Sequence, residues 1–360
     1  MKIHENASLK PHNTLYIDVK AKYLVEIETE QDLVDFVKDE RFTNMPHVIL
    51  GRGSNTLFAN DCDGVVLKIE IKGRNIIKET DKYVLVELGA GEDWPEFVEW
   101  AVAKGWSGVE NLAYIPGTLG AAPVQNIAAY GQTLDEIFVK LEAVDLRTGN
   151  VKSFLKRDCG FEYRRSFFKT DEGRHFVITS VRLRLSKKPH FDTYYHGRFS
   201  YESLQKWLDE SGAKAPYTPK MIANAITQMR KFKLPDVADY GTCGSFFLNP
   251  FVTVDKFREL EKQISELQHY PITKMEYDRI DWHNTGQDQV VKIPAGRVLD
   301  ELGWKGKWVG NVGTFERHAL CVITNKKASG HEVIDYLGEM KKSVKAKYGI
   351  ELESEVRIVK

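Results

Sequence analysis

Thiols are scarce in this sequence. Its four cysteines, Cys62, Cys159, Cys243 and Cys321, lie far apart and form no CxxC pair. That spacing argues against a zinc ribbon or a disulfide scaffold and points to reduced thiols in a reducing compartment. The ten histidines are scattered and none sits in an HExxH signature, so no structural metal is expected. An excess of one charge is also missing. Lysine plus arginine and aspartate plus glutamate number 51 each, so no global field draws the chain to nucleic acid or to an anionic membrane. No apolar run reaches the roughly eighteen residues that a bilayer-crossing helix needs. The opening MKIHENASLKPHNTLYI lacks the apolar core of a secretion signal. A cytoplasmic protein with no nucleic-acid and no membrane partner is expected. Internal repeats and low-complexity segments are absent as well, and 360 residues accommodate two or three domains.

What the chain does have is small and turn-forming residues in clusters. In the stretch from Gly108 to Tyr130, Pro116, Gly117, Gly120, Ala121, Ala122 and Pro123 fall within eight positions. Prolines fix the backbone path, and small residues let it come close to another surface. The stretch is too broken for a long helix and too apolar for a solvated linker. It reads as a buried packing turn or as a rigid loop against something flat or polyanionic, with Gln125 and Asn126 able to hydrogen-bond on the far side. A second loop, at Gly51, Gly53, Ser54 and Asn55, follows a short apolar strand at 48–50. Successive N–H groups in such a loop can face a phosphate. GRGSNT lacks the last glycine of a dinucleotide fingerprint and the Gly-Lys-Ser/Thr ending of a P-loop; alone it also fits a plain tight turn. A third loop, YGTCGSFFLNP at 240–250, sets a serine between Gly244 and two phenylalanines. Such a serine is exposed on one side and anchored on the other. Gly-x-Ser-x-Gly is absent, so a hydrolase nucleophile elbow fits poorly.

Periodicity supplies the elements between these loops. Strands are expected at 13–20, 48–50, 64–73 and in YVLVELG, then as a pair joined at Thr148-Gly149-Asn150, and in HFVITSVRLRLSK, HALCVITN and the closing ELESEVRIVK, with Glu355 inside the last. Helices are expected at 30–40, in PEFVEWAVAKG with Pro95 in its first turn, in PKMIANAITQMRKFK, in VDKFRELEKQI, around 296–302 and in HEVIDYLGEMKKSVKAKYG. The segment around Tyr194, Tyr195, Phe199 and Tyr201 is irregular, and either covers a core edge or forms a flap.

Eight blocks in order span nearly the whole chain: NTLYID, LGRGSNTLF with DCDGVVLKI, the stretch from GAGEDWPEF to NIAAYG, FEYRRSFFK, KLPD, GSFFLNP, AGRVLDELGWKG and LESEVRIV. Together they resemble the UDP-N-acetylenolpyruvoylglucosamine reductase (UDP-N-acetylmuramate dehydrogenase) family, in its first subtype with a tyrosine flap. The resemblance implies an α+β fold of three parts. A two-lobed FAD-binding fold of the vanillyl-alcohol-oxidase type covers 1–72 and 73–235. A substrate-binding domain follows at 236–345, and a strand at 346–360 returns to the FAD site. It also implies a monomeric enzyme of peptidoglycan precursor synthesis, with non-covalent FAD, NADPH as co-substrate, and hydride delivered to the enolpyruvyl group of a UDP-sugar.

Roles transfer residue by residue. Ser245 matches the proton donor, Arg164 the cation beside the developing enolate, and Glu355 a neutral acid at the substrate carboxylate. Arg165 is the rival to Arg164, and alignment on Tyr163 favours Arg164. Lys233 suits a substrate phosphate, and Tyr201 the flap, with Tyr195 as alternative. Tyr130 and Asn249 match positions that hold the sugar or the nicotinamide. Gly51, Arg52, Gly53, Ser54, Asn55 and Thr56, with Pro116, Gly117, Gly120 and Asn126, would cradle the FAD pyrophosphate, and Arg357 would approach the flavin. Four positions depart from the usual pattern: Arg52 in place of glycine, Arg165 of aspartate, Leu248 of lysine and His318 of an amide. The competing expectations are a flavin oxidase of the same fold acting on another alcohol or sugar, and a non-catalytic flavin- or UDP-sugar-binding regulator.

Overall fold

The computed structural model describes residues 1–191, 204–270, 272 and 289–360. Two compact units are interleaved along the chain. The first comprises Met1–Asn6, Tyr23–Arg52 and Asp63–Phe232; the second comprises Ala7–Lys22, Gly53–Cys62 and Lys233–Lys360. The division falls inside the GRGSNT loop.

In the first unit the five-stranded antiparallel sheet runs in the order Val151–Leu155, Phe138–Asp145, Phe176–Ser186, Tyr83–Gly89, Arg74–Glu79. Alternating Val84, Val86 and Leu88 meet Val181, Leu183 and Leu185 in one buried core with Trp94, Phe97 and Val98. The His47–Leu50 strand pairs in parallel with the Cys62–Ile69 strand, so its carboxyl end delivers Gly51 and Arg52. The Trp94–Ala103 helix starts where Asp93 accepts a hydrogen bond from the Glu96 amide, with Pro95 in its first turn. The Glu30–Lys38 helix starts with a capping box of Thr29 and Asp32.

In the second unit Gly241–Ser245, Cys321–Thr324, Val312–Thr314 and Trp308–Val309 form a sheet in that order. The Gly330–Tyr348 helix has a Ser329–Glu332 capping box and stops at Gly349, whose φ is 68°. Arg357–Val359 lies parallel to Thr56–Phe58. Among the described residues no helix is long and apolar enough to cross a membrane.

Four expectations need correction. Residues 13–19 form no strand. The buried Asn13 side chain bonds the carbonyls of Leu9 and Ile17 and the Ile17 amide, and Tyr16 sits at φ 57°, so the segment is wound into turns. Half of the 240–250 loop is the Gly241–Ser245 strand. Glu355 precedes the closing strand, which begins at Arg357. A helix at Leu204–Glu210 occupies part of the irregular segment. Tyr194, Tyr195, Phe199 and Tyr201 lie outside the described residues.

Candidate active site

The site residues divide between the two units, and each group has its own geometry. In the first unit the glycine-rich loop lies against the turn that follows the Tyr83–Gly89 strand. The Leu119 amide donates to the Glu92 carbonyl (2.9 Å), Gly120 to Ala90 (2.8 Å) and Trp94 to Gly117 (3.1 Å). A side chain at Gly120 would meet Ala90 Cβ at 2.7 Å, and one at Gly51 would meet Thr118 Oγ1 at 2.7 Å. The small residues are there because backbone packs on backbone. Gly117, at φ 146°, is in a region that L side chains rarely adopt. Arg52 is ion-paired with Asp93.

Asn126 points inward. Its amide bonds Asp135 and the Glu162 carbonyl, and its oxygen accepts the Asp135 amide. Beyond it Ala128–Ala129 and Gln132–Thr133 form a two-residue hairpin. Its turn residues, Tyr130 (φ 47°) and Gly131 (φ 84°), both have positive φ, the pattern of a type I′ turn, which normally carries Asn or Gly. A tyrosine there costs roughly 1–2 kcal/mol of backbone strain. The Asn111 amide fixes it by donating to the Tyr130 carbonyl at 2.7 Å. Burial pushes the Tyr130 phenol up, and its hydrogen bond to Arg230 opposes that. Arg230 also donates to the Tyr114 carbonyl at 3.2 Å. Sequence reasoning missed Arg230, although it follows Met229 on the buried side of a helix and precedes Lys233 by one turn.

Arg164 occupies a second strained turn. Glu162 and Arg165 exchange backbone hydrogen bonds (3.0 and 3.3 Å), leaving Tyr163 and Arg164 at the tip with Arg164 at φ 55°. Its guanidinium donates to the Ala128 carbonyl (3.0 Å), beside the Tyr130 turn. Non-glycine residues in such backbone regions cluster at functional sites. Arg165 has no such conformation, which favours Arg164 of the two.

In the second unit Ser245 is half-buried and follows Gly244, whose φ of 71° goes with an irregularity in the pairing between Thr242 and Ser245. Phe246 and Phe247 are buried and anchor it. The Glu355 amide donates to the Phe246 carbonyl (2.8 Å), Leu248 donates to Glu353 (2.9 Å), and Phe247 bridges Ser354. This short antiparallel ladder sets the Glu355 backbone opposite Phe246, the residue that follows the serine. Next in line, the Arg357 amide donates to the Asn55 carbonyl (3.1 Å), which ties the 53–56 turn to the same ladder. Gly53, at φ 67°, leaves no room for a side chain against His12 and Asn13. Asn249 Oδ1 accepts the Ala295 amide at 3.0 Å, at the start of the Ala295–Glu301 helix. Burial pulls the Lys233 ammonium down from its ordinary value. His318 Nδ1 accepts the Leu320 amide at 3.3 Å, and the adjacent Leu320 carbonyl accepts the Phe246 amide. Of the cysteines, Cys243 is wedged against Thr14 and the Thr56 carbonyl, and burial pushes its thiol up to about 12.

A family model for an FAD binding domain matches residues 21–154, and one for the C-terminal domain of UDP-N-acetylenolpyruvoylglucosamine reductase matches residues 236–359. The reductase of that name from Flavobacterium johnsoniae is 35% identical over 359 residues, covering 100% of both chains. The chain belongs to the UDP-N-acetylenolpyruvoylglucosamine reductase family. The relative from Paraburkholderia phytofirmans is 40% identical over 348 residues, covering 96% of this chain and 95% of its own. The crystal structure of the reductase from Thermus caldophilus covers 100% of both chains with a TM-score of 0.66 at 21% identity, a likeness of fold. The fold is thus α+β, with a two-lobed FAD-binding part and a reductase-type C-terminal part.

The first unit's residues fit an FAD diphosphate. Gly51 and Gly120 let the two turns and residue 90 pack closely, and Asp93, the carboxylate beside them, is offset by Arg52 and caps a helix. Backbone amides with no uncompensated negative charge nearby suit such an anion.

Proposed function

We infer that this chain is an oxidoreductase that reduces UDP-N-acetylglucosamine enolpyruvate to UDP-N-acetylmuramate, with FAD as cofactor and NADPH as reductant. Bound FAD supplies the hydride, drawn from NADPH, to the enolpyruvyl double bond. Our assignment of residues draws most support from one observation, the ladder of 246–248 with 353–355, which sets Glu355 opposite Phe246, next in sequence to Ser245. In this reading Ser245 gives the proton to the carbon next to the carboxylate. A hydroxyl is a weak acid, so it serves only against a strongly basic carbanion in a dry site. Arg164 places a permanent cation at the enolate oxygen that develops as hydride arrives. Glu355, as the neutral acid, donates to the substrate carboxylate without repelling it.

Lys233 meets a substrate phosphate, Tyr201 (or Tyr195) is the flap tyrosine proposed to meet the same diphosphate, and Tyr130 and Asn249 hold the sugar or nicotinamide. We add Arg230, because it shares a hydrogen bond with Tyr130. The backbone of 51–56 and 116–126 cradles the FAD diphosphate, and Arg357 approaches the flavin. Residues 1–72 and 73–235 form the FAD lobes, 236–345 the substrate domain and 346–360 the returning strand. The partners are small molecules; we propose a monomer in the cytoplasm. The purified protein is then yellow, bleached by NADPH and recoloured by the enolpyruvyl substrate. Ser245→Ala keeps bleaching while recolouring slows by about 10²–10⁴. Stopped-flow absorbance separates the two half-reactions, and loss of both would overturn the assignment of the serine.

A further inference from the structure

The Arg52–Asp93 pair carries a step beyond this reading, and depends on it for the identity of the cofactor. Arg52 stands between two glycines at the end of the His47–Leu50 strand, where the family usually has a third glycine. Its guanidinium bonds Asp93 Oδ2, 41 residues away in sequence. Asp93 does two further things. Its Oδ1 accepts the Glu96 amide (3.0 Å), which starts the Trp94–Ala103 helix, and its backbone bridges Thr118. The flanking bonds of Leu119 to Glu92 and Trp94 to Gly117 pin the 116–120 loop to the backbone on either side of Asp93. Gly51 leaves the space that Thr118 Oγ1 fills. Both glycine turns of the first unit therefore converge on one residue, the 51–52 turn through the Asp93 carboxylate and the 116–120 turn through the Asp93 backbone. The Asp93 side chain is 10% exposed and that of Arg52 is 55% exposed.

We propose that Arg52 and Asp93 form a latch that holds the 51–52 and 116–120 turns in register for the FAD diphosphate. Arg52 is a positioning residue that acts through Asp93, and not a direct phosphate ligand. The reasoning is electrostatic and geometric. A carboxylate next to a diphosphate cradle repels the anion unless a cation cancels it, and Arg52 does so. The guanidinium keeps its charge, but the adjacent carboxylate offsets its field at a second anion, and its bond to Asp93 Oδ2 ties down the loop that carries it.

The test is the rate of FAD release from purified holoenzyme on dilution, read from the recovery of free-flavin fluorescence. The proteins are wild type, Arg52→Ala, Asp93→Asn, the double variant and Arg52→Lys. Asparagine also caps helices, so Asp93→Asn keeps the helix start. Each single variant is expected to release FAD about fivefold faster, the upper range for a partly exposed pair. The double variant is expected to be no faster than the faster single one. Arg52→Lys recovers part of the loss, salt narrows the gap to wild type, and the bound flavin's absorption spectrum is unchanged. Release from Asp93→Asn that is unchanged or slower, with Arg52→Ala faster, would make Arg52 a direct phosphate ligand and overturn the latch. Additive effects would overturn it too, as would melting temperatures of flavin-free protein that fall in step with faster release. A wild-type protein that retains no FAD would overturn the functional reading along with the latch.

Discussion

Two regions rich in small residues are held in opposite ways. The 116–126 loop of the first unit is secured by residues 23 to 30 positions earlier, through backbone bonds of 117–120 to 90–94, with Gly120 allowing the close approach to Ala90. The Gly244–Ser245 corner of the second unit is secured by the far end of the chain, through the ladder to 353–355. The loop we propose to cradle the cofactor is thus held by nearby segments, and the seat of the proposed proton donor by distant ones. Loop closure over a long separation costs more entropy but only slowly with length, so the second arrangement is affordable, and it makes Ser245 depend on residues no local pattern reveals.

The contrast predicts that substitutions separate chemistry from cofactor retention. After Ser245, the largest effect is expected at Arg164. Arg164→Ala should lower the rate of substrate reduction by about 10²–10³, the scale of losing one donor to a developing oxyanion, while Arg165→Ala changes it little. Equal losses in both variants, by stopped flow, would remove the assignment. Glu355→Gln comes next. It should slow substrate reduction and alter the pH–rate profile, with FAD still bound, because the acid's protonation no longer matters. A profile identical to wild type would count against the neutral-acid role. The smallest effect lies in the first unit. Gly120→Val should destabilise the protein by about 1–3 kcal/mol, as overpacking does, because its side chain begins 2.7 Å from Ala90 Cβ. The variant should lose FAD on gel filtration; a flavin-replete variant with unchanged melting would break the contrast.

Much of this was legible beforehand because it is local. Helix starts at Thr29, Asp93 and Ser329 follow from capping chemistry. The anchored serine followed from Gly244 and two phenylalanines, and the close backbone approach of the 116–126 loop from its glycines and alanines. Other features were not. The 13–20 strand was misread because Asn13 side-chain bonds wind the segment, and β propensity does not register such bonds. Arg52 looked like a bare departure until Asp93 appeared beside it. Arg230 looked like any helical cation until Tyr130 reached it.

The sequence by itself determined the family, most of the element types and the kinds of group the chemistry needs, since these reside in residue identity and short-range periodicity. Only the tertiary structure decided which carboxylate Arg52 meets, which of two adjacent arginines sits in the left-handed backbone region, and that Glu355 pairs with Phe246 ahead of the closing strand rather than inside it. Those outcomes depend on hydrogen bonds and charge pairs between segments far apart in the chain, and such pairings are set by the folded backbone as a whole rather than by any local stretch.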